Sequence, residues 1–248
     1  MLSTGAAAAA QTSSAKSTGD DRLRTDWADM QRYADQNKRL GPPAPGEQRV
    51  VFMGNSITEL WQTLDSGFFA GRPYIDRGIS GQTTPQMLVR FRQDVIDLEP
   101  SVVVILGGVN DIAENTGPTT LDAIYGNLVS MAELARSNGI GVVLCSVLPA
   151  FDFPWRHGLQ PAPRIAALNA MLRSYATKHH IVFVDYYPAM ADERGGLRAA
   201  LTADGVHPNA AGFRVMEPLV ERGIASALRS RRGAHRGAAA PTRDRAPR

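Results

Sequence analysis

The sequence predicts an α/β fold: a three-layer α/β/α sandwich built on a mostly parallel sheet of five strands. Four apolar runs are rich in β-branched residues and are continuous rather than alternating, as expected of parallel strands covered on both faces. Segments with helical apolar spacing separate these runs, so strand and helix alternate along the chain. A chain of 248 residues, 44% of them hydrophobic, is long enough for one such domain.

The four apolar runs are the predicted strands, and a shorter run is the candidate fifth. The long runs are RVVFMGN from Arg49, SVVVILGG from Ser101, GVVLCSVLP from Gly141 and IVFVDYY from Ile181. The shorter run is YIDRGIS from Tyr74. The single cysteine, Cys145, lies in the third long run, which excludes an internal disulfide and predicts a small core residue.

Apolar residues recur at helical spacing in four segments, over residues 87–98, 121–134, 165–175 and 213–224. The first of these helices is expected to begin at Pro85, and the second to end at Gly139, a residue type that favours the position after a helix. We expect the last helix to begin at Pro208 and to bend at Pro218, which lacks a backbone N–H.

The elements form one predicted domain over residues 22–229. Residues 1–21 are rich in Ala and Ser and are expected to be disordered, as is the Arg-rich tail over residues 230–248. The Ala-rich run also resembles the small-residue end of a secretory signal. Two compartments therefore stay open: export, if the true start lies upstream, or the cytoplasm. The oligomeric state is not predicted.

Composition excludes several classes of function. Residues 229–248 hold seven arginines and one acid, whereas the whole chain has a net charge of only +3, so the body is slightly acidic and predicts no nucleic-acid partner. No run of 18 apolar residues predicts a membrane span. One cysteine and no H-E-x-x-H predict no metal site, and the absence of a Walker A or G-x-G-x-x-G sequence predicts no nucleotide cofactor.

Polar residues follow the predicted strands at the edge where ligands bind in parallel sheets. Ser56 follows the first strand, and Asp204 and His207 lie in LTADGVHPN before the last helix. A serine hydroxyl becomes a nucleophile when a base removes its proton, and histidine suits that role when a carboxylate orients it. The sequence therefore predicts Ser56, His207 and Asp204 as a catalytic triad.

Acyl transfer also needs hydrogen-bond donors for the developing oxyanion. The candidates are the backbone N–H groups of Ser56 and Gly81 and the side-chain amide of Asn110. Structural alternatives stay open for each motif: Ser56 as a helix N-cap, Gly81 and Asp204 as ordinary turn residues. Asp111 is expected to hold its loop rather than to react.

An aromatic loop follows the strand that contains Cys145. Phe153, Trp155 and His157 in this loop are candidate substrate contacts because the loop lies at the site edge of the sheet. The alternative is that the aromatic residues only anchor a long loop. Trp61 is expected to be a core residue.

The chain resembles the SGNH, or GDSL-type, hydrolases, which are esterases and lipases. Four blocks of that family occur in order as GNSIT, the glycine of SGQTT, GGVND and DGVHP, within residues 50–228. The resemblance implies a flavodoxin-like sheet and no cofactor, with Ser56 as nucleophile, Gly81 and Asn110 as oxyanion donors, His207 as base and Asp204 as its orienter. Asn55 departs from the aspartate usual in the family, which leaves the local hydrogen bonding near Ser56 open.

The resemblance is greatest to the platelet-activating-factor acetylhydrolase-like members and to the bacterial carbohydrate acetylesterases. It implies a serine esterase for short-chain carboxylic esters, with O-acetyl groups on carbohydrate as one class of substrate. Two alternatives stay open: an O-acyltransferase that uses the same triad, and a non-catalytic carbohydrate-binding module on the same fold. Small-molecule or carbohydrate esters are the expected partners.

Overall fold

The computed structural model describes residues 25–238, with side chains up to Arg231. The predicted N-terminal segment over residues 1–21 lies outside the described residues, as do residues 239–248. Within the described part of the chain, no helix is long and apolar enough to cross a membrane.

The sheet contains five parallel strands in the order β2-β1-β3-β4-β5. The strands are β1 (Val50–Gly54), β2 (Tyr74–Gly78), β3 (Val102–Leu106), β4 (Gly141–Cys145) and β5 (Val182–Val184). All four long predicted strands and the candidate fifth are present, and the predicted α/β/α class is confirmed. The order is that of a flavodoxin-like sheet, whose carboxyl edge gathers the loops that follow the strands.

Nine α-helices occur within residues 25–238. They are α1 (Ala34–Leu40), α2 (Ser56–Leu64), α3 (Ser66–Phe69), α4 (Thr84–Asp94), α5 (Val109–Ile112), α6 (Leu121–Ser137), α7 (Pro161–Lys178), α8 (Tyr187–Met190) and α9 (Ala210–Ala238). Helices α2 and α9 cover one face of the sheet, and α4, α6 and α7 cover the other. The two helical layers explain why the central strands are apolar on both sides.

An aromatic cluster fills the core between the sheet and helices α2 and α9. The ring of Trp61 stacks on Phe68 at 4.9 Å and on Phe213 at 5.3 Å, while Phe52 of β1 meets Trp61 edge-on at 5.8 Å. These aromatic residues are buried, and so is Cys145. Trp61 and Cys145 are therefore core residues, as predicted. The cluster places α2, which follows β1, firmly against the sheet.

The last helix differs from its prediction at both ends. It begins at Ala210 because the side chain of Asn209 accepts a hydrogen bond from the Gly212 N–H at 3.0 Å, as an N-cap residue does. Pro208 lies before the helix and pairs with Thr202 in an isolated bridge. The helix continues through Pro218 to Ala238, so its end covers the first residues of the predicted tail.

Asp76 is a buried carboxyl group on β2. Its Oδ1 accepts a hydrogen bond from the Gly78 N–H at 2.7 Å, but its buried Oδ2 has no partner in the described part of the chain. Burial raises the pKa of Asp76 from 3.8 to about 7. Between these two pKa values, the carboxyl of Asp76 is protonated in the native state and ionised in the unfolded chain.

We expect Asp76→Asn to change the pH dependence of stability. The free energy of unfolding of the wild type should fall as pH rises from about 4 to about 7, because the buried carboxyl must ionise. The variant lacks this loss, so relative to the wild type it should gain on the order of a few kcal/mol between pH 4 and pH 8. Urea denaturation at both pH values measures the difference, and parallel pH profiles for the two proteins would contradict the assignment.

Candidate active site

Ser56 lies at the junction of β1 and α2, as the first residue of the helix. Asn55 occupies the N-cap position, where its Oδ1 accepts a hydrogen bond from the Ile57 N–H at 3.3 Å. Because Asn55 caps the helix, the N-cap alternative for Ser56 is wrong and its hydroxyl is free for another partner. The departure from aspartate at position 55 therefore preserves the helix start, although the buried Asn55 Nδ2 has no partner among the described residues.

His207 is the partner of the Ser56 hydroxyl. The Ser56 Oγ lies 2.9 Å from His207 Nε2, and His207 Nδ1 lies 2.6 Å from Asp204 Oδ2. The structure thus brings the three predicted triad residues into one continuous chain of hydrogen bonds. In this geometry the imidazole can accept the serine proton on Nε2 while Nδ1 donates to the carboxylate.

The loop that carries Asp204 and His207 is held by its own side chains. Asp204 Oδ1 accepts hydrogen bonds from the backbone N–H groups of Val206 at 2.9 Å and His207 at 2.8 Å. The Thr202 hydroxyl donates to the His207 carbonyl at 2.7 Å. Burial alone would raise the pKa of Asp204, but the bonds from His207 and Val206 outweigh burial and lower it, so the carboxylate stays ionised at neutral pH.

Gly81 and Asn110 follow β2 and β3, the two strands that flank β1, and the Asn110 side chain reaches the residue after Gly81. Gly81 has a φ of +78°, a conformation that favours glycine, and no acceptor within the described residues bonds its N–H. One N–H of the Asn110 side chain donates to the carbonyl of Gln82, the residue after Gly81, at 2.9 Å. The Ser56 N–H belongs to the first turn of α2, where it has no intrahelical acceptor. All three predicted oxyanion donors therefore lie at the carboxyl edge of the sheet.

A buried arginine, Arg90 of α4, connects the segments that carry these groups. Its Nε donates to the Gln82 side chain at 2.6 Å, and its Nη2 donates to the carbonyls of Gly54 at 2.8 Å and Arg77 at 2.9 Å. Its Nη1 pairs with the equally buried Asp94 at 3.0 Å. Arg90 thus links the strand end before Ser56 to Gln82, whose carbonyl accepts the hydrogen bond from Asn110.

Neither Gln82 nor Arg90 stands out in the sequence as a site residue. The motif SGQTT contains Gln82, but a single glutamine beside a glycine indicates no particular partner. Asp111 has the structural role that was expected: its carboxylate accepts hydrogen bonds from the Thr84 N–H at 3.0 Å and from the Thr84 hydroxyl at 2.6 Å. That pair fastens α5, and with it Asn110, to the start of α4.

The aromatic loop contributes one residue beside His207. The Trp155 ring lies 5.9 Å from the His207 ring and stays 44% exposed. Phe153 is fully buried and stacks against Trp155 at 5.3 Å, so it supports the tryptophan and does not have the exposed surface that a substrate contact requires. The indole N–H of Trp155 donates to the Asn115 side chain at 3.1 Å, which fixes the ring from its other side.

His157 does not join Trp155. It is exposed, and its Nδ1 lies 2.8 Å from Asp152 Oδ2. Together with Asp204 and Gly205 it lines a small cavity of about 230 Å³ whose lining does not include Trp155. His157 therefore does not belong to the stacked pair of Phe153 and Trp155.

A larger groove of about 920 Å³ begins at Gly81 and Trp155. Its lining is mostly polar and includes two tryptophans, with Thr25, Asp26, Trp27, Asp29, Ile79, Ser80, Gly81, Gln82, Gln86, Glu114, Asn115, Thr116, Trp155 and Arg156. Because Trp155 contacts both the groove and His207, the groove opens beside the triad. Among the side chains that the structure describes, no group of three acidic, His or Cys residues is placed to hold a metal ion.

Known proteins share sequence and fold with this chain. The GDSL-like Lipase/Acylhydrolase family matches residues 52–215, which is most of the described domain. A GDSL-like lipase from Bacteroides thetaiotaomicron is 50% identical, with a TM-score of 0.79 over 81% of this chain and 99% of the other.

A curated relative and a structure of the same fold extend the comparison. The esterase TesA of Pseudomonas aeruginosa is 28% identical over 66% of this chain and 77% of its own length. The acetylxylan esterase Axe2 of Geobacillus stearothermophilus shares the fold, with 21% identity and a TM-score of 0.56 over 71% of this chain and 94% of its own. The chain therefore belongs to the GDSL-like lipase/acylhydrolase family and is a carboxylic ester hydrolase.

Proposed function

We propose that this enzyme hydrolyses short-chain carboxylic esters, O-acetyl groups on carbohydrate in particular, through a Ser56-His207-Asp204 triad. The observation that carries the proposal is the chain of hydrogen bonds from the Ser56 hydroxyl through His207 to Asp204, at 2.9 Å and 2.6 Å. A pure binding module has no need of an alcohol, a base and an orienting carboxylate in this order.

In the proposed mechanism, His207 Nε2 takes the proton of Ser56 as the Oγ attacks the ester carbonyl carbon. The carbonyl oxygen becomes an oxyanion, which accepts hydrogen bonds from the N–H groups of Ser56 and Gly81 and from the second N–H of Asn110. The ester C–O bond then breaks, and the alcohol leaves with the proton held by His207. A water that His207 deprotonates attacks the acyl-enzyme, and Ser56 regains its proton as the acid departs.

The groove supports a hydroxylated leaving group. Its lining offers the side chains of Gln86, Asn115 and Thr116 as hydrogen-bonding groups, and Trp27 and Trp155 are both partly exposed. Aromatic faces pack against the apolar face of a sugar ring, and polar side chains bond its hydroxyl groups. Ile79 is the only aliphatic residue among the described residues that line the groove, so this part of the lining has little to offer a long acyl chain.

Ser56→Ala should lower kcat for a short p-nitrophenyl ester by about 10³-fold or more, because the attacking oxygen is removed. Labelling by a fluorophosphonate probe should be lost in the same variant. Ser137→Ala, which changes an exposed serine at the end of α6, should retain both properties. Full activity in Ser56→Ala would contradict the proposed nucleophile.

Asn110→Ala should lower kcat by roughly 10²- to 10³-fold with a much smaller change in KM, because its amide bonds the oxyanion and not the ground-state ester. Asn138→Ala is the matched control, since that amide donates only to the Leu134 carbonyl at the far end of α6. Steady-state kinetics on the same ester measures both. An Asn110→Ala enzyme within about threefold of wild-type kcat would remove Asn110 from the oxyanion hole.

Trp155→Ala should lower kcat/KM for acetylated xylo-oligosaccharides about tenfold more than for p-nitrophenyl acetate, because only the saccharide reaches along the groove. Trp155→Phe keeps an aromatic face and should recover most of the difference. The ratio of the two specificity constants is the readout, since an indirect effect on His207 lowers both alike. An unchanged ratio would contradict a saccharide in this groove.

A further inference from the structure

Residues 79–82 form a tight turn that contains Gly81. The Gln82 N–H donates to the Ile79 carbonyl at 3.3 Å, and Gly81, at the third position, has a φ of +78°. Glycine at that position is the signature of a type II turn, in which the orientation of the central peptide decides where its groups point. Ser80 and Gly81 are exposed, so packing alone does not hold this peptide.

Glu59 of α2 holds the turn by its Ser80 end. Its Oε2 accepts a hydrogen bond from the Ser80 N–H at 2.9 Å and a second from the Ser80 hydroxyl. Its Oε1 accepts one from Arg32 Nη2 at 2.7 Å. Burial alone would raise the pKa of Glu59, but the bonds from Ser80 and Arg32 outweigh burial and lower it, so the carboxylate is charged at neutral pH.

The same helix carries the nucleophile. Ser56 is the first residue of α2 and Glu59 lies three residues later, so one helical turn separates the two side chains. The end of β2 is pressed against this turn: a Cβ at Gly78 would come within 2.2 Å of the Glu59 backbone nitrogen. Glu59 therefore reaches the turn directly, without an intervening side chain.

We propose that Glu59 is a positioning residue for ester hydrolysis, which fixes the Gly81 N–H opposite Ser56 by clamping the turn to the nucleophile's own helix. The inference rests on the proposed function, because it requires an oxyanion that the Gly81 N–H stabilises. Arg32 holds the Glu59 carboxylate toward Ser80, and the Ser80 hydroxyl adds a second bond to the same oxygen. Glu59 itself is not among the residues that line the groove and has no contact with the reacting atoms.

Glu59→Ala should lower kcat for p-nitrophenyl acetate by about tenfold to hundredfold, because a displaced oxyanion donor loses part of its effect. KM should stay within about twofold, since the donor bonds the transition state and not the bound ester. Glu59→Gln keeps a neutral oxygen that can accept from the Ser80 N–H, so it should recover part of the loss. This graded rescue separates the clamp from a general loss of folding.

Glu221→Gln is the matched control. Glu221 pairs with Arg72 at 2.6 Å and is 42% exposed. Arg72 precedes β2, so this ion pair lies near the amino end of the strand, whereas the turn over residues 79–82 follows its carboxyl end. Each kcat is expressed per site labelled to completion by the fluorophosphonate probe, so that unfolded molecules do not count. Glu221→Gln should match the wild type on this scale.

The possible results separate the two proposals. A wild type that hydrolyses no ester and takes no label at Ser56 would overturn the proposed function and the clamp with it. An active wild type whose Glu59→Ala and Glu59→Gln variants keep kcat per labelled site within twofold would overturn the clamp alone. A fall in kcat at near-constant KM, larger for alanine than for glutamine, supports it.

Discussion

The hydrogen bond between Ser56 and His207 is the contact on which the rest of the site depends. It joins residues 151 positions apart in the sequence, so it exists only if the sheet forms completely. The carboxyl edge of parallel strands supplies this proximity, because every loop that follows a strand emerges there. Four loops with no sequence proximity thus share one site, and none of them could hold the geometry alone.

In the loop before α9, the single carboxylate of Asp204 has two structural roles. Asp204 bonds two backbone N–H groups through Oδ1 and the imidazole of His207 through Oδ2. One carboxylate thus holds the loop through one oxygen and the imidazole through the other. Removal of that carboxylate would therefore disturb the fold of the loop and the orientation of the imidazole together, and activity alone would not tell which came first.

The sequence was sufficient to locate the strands and to predict that Ser56, His207 and Asp204 lie together. Continuous β-branched runs identified four of the five strands, because both faces of a parallel sheet are buried and the pattern is strong, whereas β2 has the weaker pattern of a short run with two charged residues. The sequence was not sufficient to decide which of two adjacent residues caps a helix, because that choice depends on tertiary contacts. Both Asn55 and Ser56 are good N-cap residues, and only the structure shows that Asn55 caps α2. The start of α9 was predicted two residues early, since Pro208 favours a first turn but Asn209 provides the cap.

The sequence did not reveal the side chains that support the site residues, for a further physical reason. Phe153 and Trp155 lie two residues apart in an irregular loop, where no periodicity indicates which one is buried. Gln82 and Glu59 act through hydrogen bonds whose partners are set by tertiary contacts, and glutamine and glutamate are common on any surface. Residues that perform chemistry have a restricted set of types, whereas residues that position them do not.

Arg90 illustrates what such positioning costs. A guanidinium that is fully buried loses its hydration, and the pair with Asp94 is not expected to repay that loss when compared with well-packed apolar residues. What the charge provides instead is direction: its N–H groups are satisfied only when Gln82, Gly54 and Arg77 stand at fixed places around it. A displaced strand end would leave a buried donor unpaired, which costs roughly 1–3 kcal/mol. The buried charge therefore penalises the small shifts of strand ends that an apolar core would tolerate, and those are the shifts that would misalign the Asn110 amide and the Gly81 N–H with Ser56.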